Sequence, residues 1–185
     1  MRIRFLSKNK YKIAEAKTIL APLGVEVIPV AVPINELQAS DVGVIVRDKV
    51  LRAFGQIGHR LFVEQTCLYL DALHRFPGGL TQPFWDALGA DRFSELFGRG
   101  DRPAVTAETW IGYCDGRKVH HFQGEIKGTV APEPRGNRDF QWDCVFVPDG
   151  HDKTFAEMGE RKNEISMRRI ALNRFADHLR EAANA

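Results

Sequence analysis

A chain of 185 residues, 44% hydrophobic and 27% charged, has the composition of a globular protein and is long enough to bury a core without disulfides or a structural metal. Its net charge of +2 removes nucleic acid and anionic membrane as default partners, and no apolar run approaches the roughly 18 residues of a bilayer span. Cys67, Cys114 and Cys144 are widely spaced, odd in number and free of CxxC spacing, which argues against a disulfide framework or zinc site. With no leader-like segment after Met1, a reducing, cytoplasmic setting is expected.

In chain order, Arg2 to Leu6 alternates as a strand should, and Ser7-Lys8-Asn9-Lys10 breaks it with turn and cap formers. Ile13, Ala16 and Leu20 then recur at helical spacing up to Pro22 and Gly24. A strand-to-helix junction exposes N–H groups beside Lys8, Lys10 and Lys12, an anion site in outline. By spacing alone, a plain helix start with a solvated lysine face is the simpler reading. Val25 to Val32 is predicted as a second strand, followed by a polar connection carrying the isolated Glu36. Val42, Ile45, Val46, Val50 and Phe54 form the apolar face of an amphipathic helix whose wet side holds Arg47, Asp48, Lys49 and Arg52.

Leu61 to Val63 reads as a short strand buried on both faces, ending at the acid-amide pair Glu64-Gln65. Polar groups at such a strand end are either solvated or part of a ligand site. Thr66 and Cys67 lead into a second apolar segment, Leu68 to Asp71, and Phe76-Pro77-Gly78-Gly79 is predicted as the turn that stops it. Phe84 to Phe97 is an aromatic-rich helical hairpin around Gly89, better suited to core or subunit interface than to a ligand box. Asp115-Gly116 joins two predicted antiparallel strands, Thr106 to Tyr113 and Lys118 to Gly124. His120 and His121 are neighbours on the second strand and so point to opposite faces, unsuited to one metal. Glu125 to Asp139, rich in Gly, Pro and Arg, is predicted as an irregular loop, followed by a strand at Val145 to Val147. Leu172, Phe175, Ala176 and Leu179 give a final helix one buried face. Interleaved strands and helices followed by a hairpin predict an α/β protein with a mixed central sheet and flanking helices, in a single domain over 1–185.

Four polar segments carry a further signal: Ser7-x-Asn9-x-x-Lys12, EQTCLYLDAL from Glu64, Pro134-Arg135-Gly136 with Phe140-Gln141-Trp142-Asp143, and TFAEMGERKNEISMR from Thr154 to Arg168. In this order they resemble the inosine/xanthosine triphosphate pyrophosphatase family, the Ham1-like proteins. The resemblance implies a two-lobed Ham1/Maf-like fold with a nucleotide cleft between the lobes, a homodimer, and hydrolysis of an NTP to NMP and pyrophosphate with Mg2+ or Mn2+. It implies that Ser7, Asn9, Lys12 and Lys49 hold phosphates, and that Glu36 and Glu64 hold the metal. Phe140 and Trp142 would stack the base, Asp143, Lys162 and Arg168 would read its edge or the phosphates, and Thr66, Gln141 and Met167 would complete the substrate wall. A cation at O6 favours a 6-oxopurine over adenine, whose amino group would leave it unmatched.

This sequence departs from the family pattern at the site. Gln65 stands where the family has its second acid, and an amide can orient water but cannot take its proton. Glu64 or Asp71 must then serve as base, or a metal alone must generate hydroxide. Met167 replaces a His, Gln141 a Gly and Cys144 a Pro. Two other readings therefore stand beside the enzyme: a nucleotide-binding sensor without turnover, and an interaction protein on the same scaffold.

Overall fold

The computed structural model describes residues 1–184 and is built on one seven-stranded mixed sheet. Strands β1 (Arg2–Leu6), β2 (Glu26–Val30), β3 (Leu61–Leu70), β5 (Ala104–Cys114), β6 (Val119–Val130) and β7 (Phe146–Pro148) lie in the order β2-β1-β3-β5-β6-β7, and β4 (Phe76–Gly78) pairs with β3. β1 runs parallel to β2 and β3, and all other pairs are antiparallel. The helices are α1 (Lys10–Leu20), α2 (Val42–Ile57), α3 (Thr81–Phe97), the short α4 (Phe155–Met158) and α5 (Lys162–Ile165), and α6 (Met167–Asn184). The expected mixed sheet with flanking helices is therefore present. None of these helices, among the described residues, is long and apolar enough to cross a membrane.

Period-2 alternation along β3 divides the core. Phe62 stacks on Phe5 at 4.2 Å between ring centroids and meets Phe175, so this face belongs to α1 and α6. Leu61, Val63 and Cys67 point the other way, onto Val46 and Val50 of α2. Beyond them, Leu68 and Leu70 join a third cluster with Phe93, Phe97, Phe146 and Phe155.

Three predicted segments differ. Leu61 to Leu70 is one strand, so Glu64-Gln65 sits mid-strand rather than at a strand end. Phe76 to Gly78, predicted as a turn, is itself strand β4. Glu125 to Val130, predicted as loop, continues β6. Gly128 contributed to the loop-like composition of that stretch, yet a side chain there would strike Val147, and one at Gly124, just before it, would strike the backbone of α6 at Met167 and Ala171. Those glycines permit close approach within the strand.

The aromatic segment is helix α3, kinked at Gly89 (φ 65°, ψ 174°), with Phe93 and Phe97 buried in the core and Leu96 left exposed. His120 lies 3.0 Å from Asp115 and beside His178, while His121 meets Trp110. All three cysteines are buried and free.

Candidate active site

The cleft exists because β3 lacks a partner over part of one edge. β1 pairs with β3 at Leu61 and Phe62, β4 pairs at Leu68 to Leu70, and among the described residues Val63 to Cys67 have a strand neighbour only on the β5 side. Into this gap opens a cleft of about 660 Å³, floored by Glu64, Gln65 and Thr66. Such a volume suits a nucleotide-sized ligand. Around the gap stand the β1–α1 turn, the chain from Val30 to Glu36, Lys49 of α2, the turn from Asp139 to Asp143, and the residues from Lys162 to Arg168.

At the β1–α1 turn Asn9 caps the helix, its Oδ1 accepting from the N–H of Tyr11 at 3.0 Å and of Lys12 at 3.2 Å, while its own N–H donates to Ser7 Oγ. Two of the N–H groups expected to be free for an anion are thus already used. What the cap does is aim Lys12 across the gap, where its Nζ lies 3.0 Å from Glu64 Oε1. Arg168, from the first turn of α6, donates through Nε to both Glu64 oxygens, at 3.0 and 3.1 Å, and through a second nitrogen to Glu15 at 3.2 Å. Thr66 Oγ1 adds a donor to Glu64 at 3.2 Å. Burial pushes the Glu64 carboxyl up, but Arg168 and Lys12 outweigh it and bring it down to about 2. Burial pushes Glu15 up despite Arg168, and one of its carboxyl oxygens is buried without a partner among the described residues. Lys12 is lowered, by burial first and by Arg168 next, with Glu64 opposing.

On the α2 face of the sheet Lys49 pairs with Glu36 at 2.5 Å, beside Gln65. Glu36, Glu64 and the Gln65 side-chain oxygen are hard donors of the type Mg2+ takes. No three His, Cys, Asp or Glu side chains come together to cage an ion, among the described residues. The donors present fit a cation that draws its remaining ligands from water and phosphate oxygens, which is how Mg2+ is commonly held.

The third wall is aromatic. Phe140 meets the edge of Tyr11, and the Lys162 ammonium sits 4.4 Å above the Phe140 ring while pairing with Asp143. Burial raises the Asp143 carboxyl, with Lys162 opposing. Trp142 is 3% exposed and packs on Phe146, so it meets the cleft by little of its surface. An open two-sided aromatic slot is not what stands here: Phe140 supplies the accessible ring, and Lys162 covers one of its faces.

Ser7, Asn9, Lys12, Glu36, Lys49, Glu64, Gln65, Thr66, Phe140, Gln141, Trp142, Asp143, Lys162, Met167 and Arg168 all line this one cleft. Asp71 does not. It begins a 3-10 turn after β3, exposed, beside a separate surface hollow with His74 and Arg75. Six residues of extended strand, Gln65 to Leu70, lie between it and Glu64, roughly 20 Å at 3.3 Å per residue, so it cannot serve as the base here. Glu15 and Gln82 are site residues missed from sequence. Glu15 had a legible signal, lying three residues after Lys12 and so on the same helix face. Gln82 had none.

A model of the Ham1 family matches residues 3–178. This chain belongs to the Ham1 family. Its relatives include a dITP/XTP pyrophosphatase of Methanopyrus kandleri, 37% identical over 180 residues that cover 96% of this chain and 95% of the relative. An inosine triphosphate pyrophosphatase of Yarrowia lipolytica is 35% identical and covers 99% and 98%. The Ham1 protein of Staphylococcus aureus superposes with a TM-score of 0.84 at 21% identity, covering 98% of this chain and all of that one, a likeness of fold. A Ham1 protein of Coxiella burnetii gives 0.78 at 25% identity, covering 98% of this chain and 99% of the other.

Proposed function

We propose that this Ham1-family chain is a Mg2+-dependent nucleoside triphosphate pyrophosphatase acting on 6-oxopurine nucleotides of the dITP and XTP type. The observation that carries this is the meeting, at one gap in the sheet, of Lys12, Lys49, Glu36 and Glu64 with an aromatic ring and Lys162. Relatives that match nearly end to end bear the names of such enzymes.

In the reaction, water attacks the α-phosphorus, its proton passing to solvent, and the bond to the bridging oxygen of the β-phosphate breaks, giving NMP and pyrophosphate. Lys12 and Lys49 leave their carboxylates to neutralise phosphate oxygens, and Arg168 keeps Glu64 in place and ionised. Lys162, steadied by Asp143 over Phe140, donates to O6 of the base. Held by Glu36, Glu64 and the phosphates, Mg2+ (or Mn2+) would neutralise charge on the polyphosphate and acidify water. Gln65 accepts a hydrogen bond from the attacking water and orients it without taking its proton. Glu64, held at about 2, is a poor base near neutral pH. The test is pyrophosphate release from ITP, XTP, dITP and the four common NTPs: turnover on the 6-oxopurines with Mg2+ or Mn2+ is expected, and none on any substrate overturns the reading.

A binding-only role has its own motive in the same two facts, since Gln65 and the depressed Glu64 leave the cleft without an effective carboxylate base. It predicts calorimetric nucleotide binding with hydrolysis at background. An interaction-only scaffold predicts that Lys12→Ala leaves nucleotide binding unchanged. The family resemblance also carries the proposal of a homodimer, which sedimentation would detect as a species of twice the 20.9 kDa chain mass.

A further inference from the structure

We propose that Gln141 selects the base, its side-chain carbonyl oriented by Gln82 and Asp86 to accept a hydrogen bond from the ring N–H beside the 6-oxo group. This rests on the 6-oxopurine reading above and narrows it to bases that carry that N–H. Asp86, one turn along α3, accepts from Gln82 Nε2 at 2.7 Å. A carboxylate has no proton to give, so the Gln82 amide is fixed with nitrogen toward Asp86 and oxygen away from it. That oxygen accepts from Gln141 Nε2. The second amide is thereby fixed in turn, and Gln141 Oε1 is left as an acceptor with no donor among the described residues.

Gln82 and Gln141 line the same cleft as Phe140 and Lys162. The Gln141 backbone has φ 44°, a left-handed value costly for a side-chain-bearing residue, so its surroundings hold it there. A donor at Lys162 and an acceptor at Gln141 together match the lactam edge of hypoxanthine or xanthine, O6 beside N1–H. Adenine presents the reverse pair, an amino donor beside a bare ring nitrogen, and fails at both positions.

The test is calorimetric binding, with Mg2+, of the α,β-imido forms of ITP and of N1-methyl-ITP, so that turnover plays no part. The native chain is expected to bind the unmethylated nucleotide about tenfold more tightly, the value of one hydrogen bond. Gln141→Leu keeps the bulk and loses the acceptor, and should bring the two within about twofold. Gln141→Gly, which suits the positive φ, serves if the leucine variant does not fold. Asp86→Ala, a change at a positioning residue, should shrink the ratio while leaving the unfolding midpoint in place. Equal affinities in the native chain, or a ratio that survives Gln141→Leu or Gln141→Gly, overturns the proposal. A ratio unmoved by Asp86→Ala overturns the orienting role of Asp86. Absent hydrolysis with the expected binding ratio defeats only the pyrophosphatase reading, whereas absent binding of either nucleotide defeats both.

Discussion

Glu64 receives Arg168, Lys12 and Thr66 within 3.2 Å, and its chemistry follows from them. Its carboxyl is held at about 2 against an ordinary 4.5, so it contributes stability that is full above pH about 4.5 and lost as pH falls toward 2. Glu15, raised by burial, works in the opposite direction, which makes a difference measurement necessary. Urea unfolding of the native chain and of Glu64→Gln at stepped pH should show a native advantage above pH 4.5 that vanishes toward pH 2. A gap independent of pH would mean that the ion pairs do not set this carboxyl. The same depression makes Glu64 a weak proton acceptor and leaves Gln65 as the position where a base is missing. Gln65→Asp should therefore raise pyrophosphate release, on the order of a hundredfold at neutral pH for a well-placed general base. A fall in rate would show that the amide belongs to a working arrangement. At this scale the residue types were legible, because lysines, hard oxygen donors and an aromatic ring declare phosphate, metal and base chemistry. The exclusion of Asp71 was not, since it depends on β3 running unbroken past Gln65.

Helix α6 sets Arg168 against Glu64, and its own placement depends on Gly124 of β6. A methyl group there would meet the backbone of α6 at Met167 and Ala171, which cannot yield as a side chain could. Gly124→Ala should cost about 1 to 3 kcal/mol of stability, as overpacking does, and weaken nucleotide binding by shifting the turn that carries Arg168. Gly55→Ala is the control: it lies in α2 with open space around it and should stabilise, by up to about 1 kcal/mol, through helix propensity. Equal effects of the two changes would remove the steric account, and denaturant midpoints measure both. Elements with a clear period were legible in the sequence, α2 and the end of α6 foremost. Those defined by tertiary approach were not. β6 past Gly124 reads as loop because Gly128 answers to the close approach of β7 rather than to a local turn, and β4 reads as a turn because its pairing partner is β3.

At the scale of the whole molecule, two ion pairs of the cleft sit on opposite faces of the sheet and meet at the gap in β3. Lys12 and Glu64 pair on the α1 and α6 side, and Lys49 and Glu36 pair on the α2 side. Each carboxylate proposed for the metal is thus held by a lysine proposed for phosphate. A free cation must displace those ammonium groups with nothing to receive them, and a free polyphosphate must strip the lysines from their carboxylates, leaving Glu36 without its lysine and the buried Glu64 with Arg168 as its remaining cation. Supplied together, cation and polyphosphate exchange partners with both pairs and leave no charge alone. Binding should therefore be synergistic. Tripolyphosphate should bind at least about tenfold more tightly with Mg2+ than without it, beyond the contribution of the magnesium–phosphate complex formed in solution, and by linkage the polyphosphate should tighten Mg2+ by the same factor. Titration calorimetry in both orders measures the two factors. In Lys12→Met the coupling should shrink, because Glu64 then loses one of its two cationic partners and the cation no longer has to expel it. Tight Mg2+ binding to the native chain without phosphate, or a coupling factor unchanged in Lys12→Met, would mean that the two ion pairs are bystanders and that the cleft gathers its charges for another purpose.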